Sequence, residues 1–449
     1  MPWRRWPSRW AGRSGWPRVP DPAGEADADP EEPGRRARSP AAVRAVLRAV
    51  AVSVLGVLPA FLVGALAVQI RADLEVGLGL FGLAAATLFI VSGSLARPGG
   101  RLVQRLGSRR GAALAAALAT TSLTVIAHAA SPVALMAGLA VGGLGNAVAQ
   151  PSANAVVSEL VTEQRLGVAF GIKQSSIPAA TLLGGLAVPG VALVFGWRWA
   201  VAGAVGLAVV LLLASLAGRD AGRRAAAARD PGARAPDKGL PRGGLVVLTL
   251  GGFLGSAAAT PTGVFLVDSA VAAGIPAGPA GLLFAGCSVL GLVSRVGYGL
   301  LVDRHPTRSA YLFIANLLTA GTAGYVLLAA GPVPAFVAGG VLAYGAGWAW
   351  TGLFHFAVIR DNRGAAASVT GFVQTGLSLG AASGPLLFGV VAQTWSYSAA
   401  WLTAAALSLA GAVTVRISRR MVRRSRGLPV TRLPGQRRRP RVPDLTAPT

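Results

Sequence analysis

The chain has 449 residues, of which 53% are hydrophobic and only 13% are charged, whereas a soluble domain carries about 25% charged residues. This composition excludes an ordinary soluble domain and favours a multi-pass membrane protein. The net charge of +25 would suggest nucleic-acid binding in a soluble protein. Here the cations lie between the apolar segments and at the two ends. These cations are therefore typical of residues that set the orientation of a protein in the membrane and contact anionic lipid at the cytoplasmic face. We expect no nucleic-acid partner.

The first segment, residues 1–41, opens with Trp and Arg and then turns acidic. It has no apolar stretch of the kind found in signal peptides. We interpret it as a disordered cytoplasmic tail; the alternative is a membrane-surface anchor made by its Trp and Arg side chains.

Twelve apolar segments then follow, each about long enough to span a bilayer. They lie near residues 45–69, 77–97, 111–130, 133–157, 167–194, 198–217, 245–270, 277–300, 309–329, 333–357, 365–392 and 396–416. The sequence predicts an all-α membrane protein with twelve transmembrane helices in two pseudo-symmetric six-helix bundles. The predicted divisions are an N-terminal bundle (42–217), a basic cytoplasmic linker (218–242), a C-terminal bundle (243–417) and a basic cytoplasmic tail (418–449).

The distribution of cations predicts the orientation. An inside N-terminus places 38 of the 42 Lys and Arg in cytoplasmic loops and tails, leaves Arg71 and Arg198 on the opposite side, and puts Lys173 and Arg295 within spans. Because short loops with such a bias stay in the cytoplasm, we expect an integral plasma-membrane protein with both termini cytoplasmic.

Two stretches show that the halves are related. Residues 100–105 (GRLVQR) are repeated as 299–304 (GLLVDR), and Gly-x-x-Gln-Ser at 171–175 is repeated as Gly-x-x-Gln-Thr at 371–375. The near-constant offset of about 200 residues predicts two copies of one six-span unit.

With these features the chain resembles the major facilitator superfamily over roughly residues 42–417. The family's G-x-L-x-D-R-x-G-R-R signature reads GRLVQRLGSRR at 100–110, with Gln104 in place of the acid, whereas the second copy keeps Asp303. The resemblance implies alternating access by rocking of the two bundles, with the motif's charges holding the cytoplasmic side closed. The expected gating residues are Gly100, Gln104, Arg105, Arg109, Arg110, Arg295, Gly299, Asp303 and Arg304. The glycines at 100 and 299 are expected to let helix ends approach closely.

Polar residues inside spans predict a central substrate site, because they usually face a cavity or another helix. The candidates are Asn146, Gln150 and Asn154 on one face of span four, Lys173, Gln174 and Ser175 in span five, Trp348 and Trp350 in span ten, and Gln374 and Thr375 in span eleven. Each group has a structural alternative: interhelical hydrogen bonds for the amides, snorkelling for Lys173 and core packing for the Trp pair. For Arg295 the alternative to gating is substrate contact.

Two residues are candidates for proton coupling. Asp268 is the only acid within a predicted span, and His355 lies near the end of span ten and has an ordinary pKa near neutrality. The alternative for Asp268 is a solvated helix end.

The predicted function is secondary transport of a small polar solute, with anions favoured because the deep ionisable groups are cations. We expect a monomer with no cofactor and no metal. The alternatives are a proton-coupled drug exporter, disfavoured because Gly184-Gly185 in span five lacks the preceding Pro of that group, and a non-transporting receptor or scaffold. The sequence shows no catalytic triad, metal-ligand or phosphate-loop pattern, so we do not expect an enzyme.

Overall fold

A computed structural model describes residues 40–160, 166–217, 242–305, 309–361 and 366–425. The predicted N-terminal tail, central linker and most of the C-terminal tail lie outside these residues.

The described residues of the first half form six spans. Their bounds are Pro40–Ala65 (span one), Leu78–Ser94 (two), Ser108–Ala127 (three), Pro132–Leu160 (four), Leu166–Phe195 with internal breaks (five) and Trp197–Ala217 (six). Two shorter helices, Ala67–Leu74 and Ala96–Leu106, flank span two. The first of them meets span two at a bend of 116°.

The second half repeats the arrangement. Its spans are Arg242–Ala272 (seven), Ala277–Arg304 (eight), Ala310–Ala329 (nine), Val333–Asp361 with an internal break (ten), Ala366–Thr394 (eleven) and Tyr397–Ser425 (twelve). Among the described residues, eleven helices are long and apolar enough to cross a membrane, and the bent pair that contains span two supplies the twelfth. The predicted all-helical, twelve-span fold is confirmed.

The structure changes one predicted boundary. Span twelve continues as a helix to Ser425, past the predicted start of the C-terminal tail at residue 418. Span one begins and span twelve ends on the same side of the molecule. We call this side the terminal face and the other side the opposite face.

Spans five and ten are broken where the sequence contains helix-disrupting residues. Span five stops at Gln174 and restarts at Ser176, because the ring of Pro178 clashes with the carbonyl four residues earlier and has no N–H to donate. Span ten passes through a π-helical turn, Ala343–Gly347, and an irregular turn at 348–350 before helix resumes at Thr351. Such irregularities are common at functional sites, and both lie at the boundary between the halves.

The halves pack through glycines at three helix crossings. A Cβ built on Gly64 of span one would lie 2.7 Å from the carbonyl oxygen of Gly263 in span seven. Gly82 of span two faces Pro385 of span eleven, and Gly185 of span five faces the backbone of span eight. Because the backbones touch directly at these points, any side chain there must push the halves apart.

Gly64→Ala should therefore lower the thermal unfolding temperature, because the added methyl group would meet backbone that cannot rotate away; overpacking of this kind costs about 1–3 kcal/mol. Gly203→Ala in span six is the matched control, since a Cβ there would meet nothing within 4 Å. Alanine favours helix over glycine, so the control should be neutral or slightly stabilising. Equal melting temperatures for the two variants in detergent would contradict direct backbone contact between spans one and seven at Gly64.

Candidate functional site

The candidate site begins in span four, where two of the predicted amides join a hydrogen-bonded series. Asn146 Nδ2 donates to Ser92 Oγ of span two at 2.8 Å, and Gln150 Nε2 donates to Asn146 Oδ1 at 3.1 Å. Gly56 of span one makes room for this contact, because a Cβ there would lie 2.8 Å from Asn146 Oδ1. Asn154, the third residue on the predicted face, is exposed and is not part of the series.

Span five extends the series with its only cation. Lys173 is buried, and its Nζ donates to Gln150 Oε1 at 2.5 Å and to Gln174 Oε1 at 3.3 Å. Both acceptors are neutral amides, and no carboxylate among the described residues forms an ion pair with this ammonium. Burial of a cation among neutral groups is costly, and an anion beside the ammonium would lower that cost.

His355 carries the series into the second half. Gln174 Nε2 lies 3.4 Å from His355 Nδ1, and His355 Nε2 lies 3.1 Å from Gln374 Oε1. His355 Nδ1 also lies 2.9 Å from the Thr351 carbonyl oxygen. A doubly protonated ring could donate to both Thr351 and Gln374, whereas accepting from Gln174 requires Nδ1 to be unprotonated. Whether Nδ1 carries a proton therefore decides whether His355 accepts from Gln174.

The series ends in span eleven, close to where it began. Gln374 Nε2 lies 3.4 Å from Ser378 Oγ, and a Cβ on Gly93, the neighbour of Ser92, would lie 3.0 Å from Ser378 Cβ. We call these residues the polar chain: Ser92, Asn146, Gln150, Lys173, Gln174, His355, Gln374 and Ser378. It links spans two, four, five, ten and eleven, and thus crosses between the two halves.

Besides Asn154, three predicted site residues outside the polar chain bond within their own spans. Ser175 and Thr375 donate to carbonyl oxygens of their own helices, at Gly171 and Gly371. Trp350 is fully buried and donates to the Gly347 carbonyl oxygen within the second half. The repeat at 171–175 and 371–375 thus brings together its two glutamines, through His355, but not its hydroxyl residues.

An aromatic layer adjoins the polar chain on the side of the opposite face. Trp348 packs edge-on against Phe61 of span one, with ring centroids 5.4 Å apart, and against Tyr344 at the same distance. Gly263 of span seven lies beneath Phe61 and Trp348. Rings from both halves therefore cover the site, and Trp348, unlike Trp350, is one of them.

Arg295 of span eight points toward this layer and not toward its own motif. It is 1% exposed, and its Nη2 donates at 3.0 Å to the carbonyl oxygen of Trp348, which lies in the irregular turn of span ten. Its Nε lies 3.5 Å from Thr351 Oγ1, and the guanidinium carbon lies 5.6 Å from the centroid of the Trp348 ring. Its Nη1 has no hydrogen-bond partner among the described residues. The side chain runs toward the membrane interior because helical side chains lean toward the helix N-terminus.

Asp303 contacts the first turn of span five at the terminal face. Its carboxylate accepts from the backbone N–H groups of Gly167 and Val168, both at 2.9 Å, and so caps a helix N-terminus of the other half. Gly299 allows this, because a Cβ there would collide with Gly167. The close helix approach expected at Gly299 is therefore observed, and its part in gating stays a prediction.

The first copy of the motif is built differently. Gln104, Arg105 and Arg110 are exposed, as is Arg304 next to Asp303, while Arg109 is half-buried. A Cβ on Gly100 would meet nothing within 4 Å, whereas one on Gly99 would collide with Ala147 of span four. The expectation of close approach at Gly100 is therefore wrong. The contact lies at its neighbour, because that residue is on the helix face turned toward span four.

At the opposite face, Asp268 joins the halves through an ion pair. Arg71 Nη1 donates to Asp268 Oδ2 at 2.6 Å, and the hydroxyl of Tyr397 donates to the same oxygen. Asp268 is 5% exposed, so the alternative of a solvated helix end is wrong. Nearby, the backbone N–H of Gly79 donates to Gln393 Oε1 at 2.7 Å. Sequence reasoning missed Arg71 and Tyr397, although a cation on the cation-poor side was a signal that an acid would lie near it.

A multi-pass helical protein with a polar site between two related halves, which also bond to each other at both faces, has the architecture of a membrane transporter. The family model described as the Major Facilitator Superfamily matches residues 49–375. Among solved structures, the human organic anion transporter MFSD10 (TETRAN) is similar, with a TM-score of 0.62 and 18% sequence identity over 84% of this chain and 100% of that one. No curated protein matches the sequence. The chain belongs to the major facilitator superfamily of membrane transporters.

Proposed function

We propose that this protein is a secondary transporter of small organic anions, which it binds between its two halves. The observation that supports this most is Lys173, a buried cation at the boundary between the halves whose partners are neutral amides. Arg295 adds a second buried cation with one N–H group unpartnered among the described residues. The similar human structure is of an organic anion transporter, and this is consistent with the proposal.

The other residues of the polar chain are neutral groups that can form hydrogen bonds with the solute. Gln150, Gln174 and Gln374 can each donate and accept, so they can bond to carboxylate or hydroxyl oxygens that replace their present partners. Trp348 and Phe61 supply an apolar wall for the hydrocarbon part of an organic anion. The proposal assigns no contact with the solute to four of the predicted site residues, namely Asn154, Ser175, Trp350 and Thr375.

The proposed cycle is alternating access, with both termini cytoplasmic. Opening to the outside requires Arg71 to separate from Asp268 and Tyr397, and opening to the cytoplasm requires Asp303 to leave the N-terminus of span five. Asp268 is therefore a latch in this proposal, which weakens the alternative of a drug exporter that uses it as proton carrier. His355 is the remaining candidate for proton coupling, because it bridges the halves and its protonation changes its bonding.

The test of the proposed function compares an anion with its neutral isostere. The purified protein in neutral detergent is melted with benzoate, benzamide, succinate and succinamide. Because a ligand of the folded state raises the melting temperature, we expect stabilisation by at least one carboxylate and none by its amide. Equal shifts for acid and amide would argue against anion recognition.

The asymmetry of the two motif copies gives a further prediction. Asp303→Asn should reduce the transport rate about tenfold, because charge-assisted hydrogen bonds to two backbone amides are replaced by weaker neutral ones. Gln104→Asn is the matched control: its side chain is exposed, and it should transport at nearly the wild-type rate in proteoliposomes. Equal losses would mean that the Asp303 cap has no special part in gating.

A further inference from the structure

The lipid-facing surface between spans nine and twelve contains a polar cluster. Arg416 of span twelve donates through Nη2 to Asn316 Oδ1 at 3.0 Å and through Nη1 to Thr319 Oγ1 at 3.2 Å. Asn316 and Thr319 are exposed on span nine, and the exposed side chains around them are apolar: Leu312, Val413 and Ile417. Apolar surroundings of this kind face the acyl chains of a bilayer, so the cluster is a cation held at the membrane boundary.

The length of span twelve gives the depth of Arg416. It lies 19 residues from Tyr397, or about 28 Å along the helix, which is close to the thickness of the hydrocarbon core. The exposed Trp395 just before Tyr397 fits the opposite interface, where Trp is enriched. The guanidinium of Arg416 therefore lies near the hydrocarbon boundary on the terminal face.

Further cations continue from Arg416 toward the terminal face. Arg419 donates through Nε to Ser309 Oγ at 3.1 Å, just before span nine begins, and Arg420 is exposed on the next position. None of the ion pairs among the described residues involves Arg416, Arg419 or Arg420. Arg416 and Arg419 thus donate to neutral groups of the protein. We call the surface formed by these three arginines with Asn316 and Thr319 the seam.

We propose that this seam binds the headgroup of an anionic phospholipid, with the phosphate on Arg416 and Arg419 and the acyl chains along Leu312 and Ile417. A phosphate offers the acceptor oxygens that a fork of guanidinium N–H groups binds best. Asn316 and Thr319 hold the Arg416 guanidinium in place before the lipid arrives. A neutral zwitterionic lipid has the same phosphate but also a cation, which the three arginines repel.

The test measures lipid affinity by native mass spectrometry of the purified full-length chain in neutral detergent. The probes are phosphatidylglycerol and phosphatidylcholine with identical acyl chains. We expect the wild type to prefer phosphatidylglycerol and Arg416→Gln to bind it about tenfold more weakly, as for loss of a charged hydrogen-bonding partner. The matched control is Arg424→Gln, an exposed cation in the last turn of span twelve, which should keep the preference.

Three results would overturn the proposal. The first is unchanged phosphatidylglycerol binding by Arg416→Gln. The second is an equal loss of binding in Arg424→Gln, which would indicate diffuse charge attraction, and the third is a dimer that Arg416→Gln dissociates, which would make the seam a contact between copies. If Arg416→Gln does not fold, Arg419→Gln gives the same comparison. Because no residue of the seam belongs to the polar chain, failure here leaves the proposed anion transport untouched.

Discussion

Replacing Lys173 with Met should abolish the response to anions while leaving the fold intact. Lys173 is the cation that meets the anion in the proposed site. Removing one partner of a buried charge pair costs about 2–5 kcal/mol, which lowers the affinity at least about thirtyfold. In the absence of ligand, the same substitution should not destabilise the protein. Among the described residues this buried cation bonds to amides and forms no ion pair, and such burial destabilises the empty protein. An apolar side chain of similar length should therefore leave the melting temperature unchanged or raised.

The measurement is the shift in melting temperature with benzoate and the rate of benzoate uptake into proteoliposomes. Lys173→Arg is one control, because it keeps the charge and should retain part of the response. Arg101→Gln is the second, because it removes an exposed cation that is not part of the polar chain. If Lys173→Met keeps the wild-type shift with benzoate, Lys173 is a structural residue and the anion site lies elsewhere.

Asp268→Asn is expected to have the second large effect, at the opposite face. Asp268 is buried and Arg71 is partly exposed, with side-chain exposures of 6% and 25%, so breaking the pair should cost about 3 kcal/mol, the lower end for buried pairs. The chain supplies a matched control in Asp73 and Arg198, which form an ion pair of nearly the same length, 2.7 Å, but are 42% and 43% exposed. Asp73→Asn should cost less than about 1 kcal/mol.

Loss of the Asp268 latch should also favour opening at that face. Val264 of span seven is buried against Gly64 of span one, so Val264→Cys, with Cys287→Ala as background, reports separation of the halves. A membrane-impermeant thiol reagent should label it faster when Asp268 is Asn than when Asp73 is Asn. Equal labelling rates, or equal melting losses for the two Asp variants, would show that the Arg71–Asp268 pair does not control opening.

The sequence predicted contacts between site residues on the same helix better than contacts between residues on different helices. Asn146 and Gln150 lie four residues apart, so helix geometry alone placed them on one face, and they do bond to each other. The same periodicity also placed Asn154 there, but it is exposed, since a helix face continues beyond the part that another helix covers. Ser175 and Thr375 could not be distinguished from their Gln neighbours, because a hydroxyl in a helix can bond back to its own backbone.

Arg295 shows what sequence spacing leaves undecided. It shares a helical face with Gly299 and Asp303, which suggested one gating group, but its long side chain extends away from them. It bonds to the Trp348 carbonyl oxygen at the break in span ten. Neither the direction of the side chain nor this break is a property of span eight, so spacing within that span could not predict the contact.

The sequence by itself determined the membrane class, the twelve spans, the internal repeat and the family, because these depend on local hydrophobicity and on motifs within single segments. Only the tertiary structure decided which polar groups meet. The polar chain joins residues up to 181 positions apart, such as Gln174 and His355, and the Arg71–Asp268 pair joins residues 197 positions apart. Such contacts depend on how glycines let particular helices cross, and that packing is a property of helix pairs, which no single segment records.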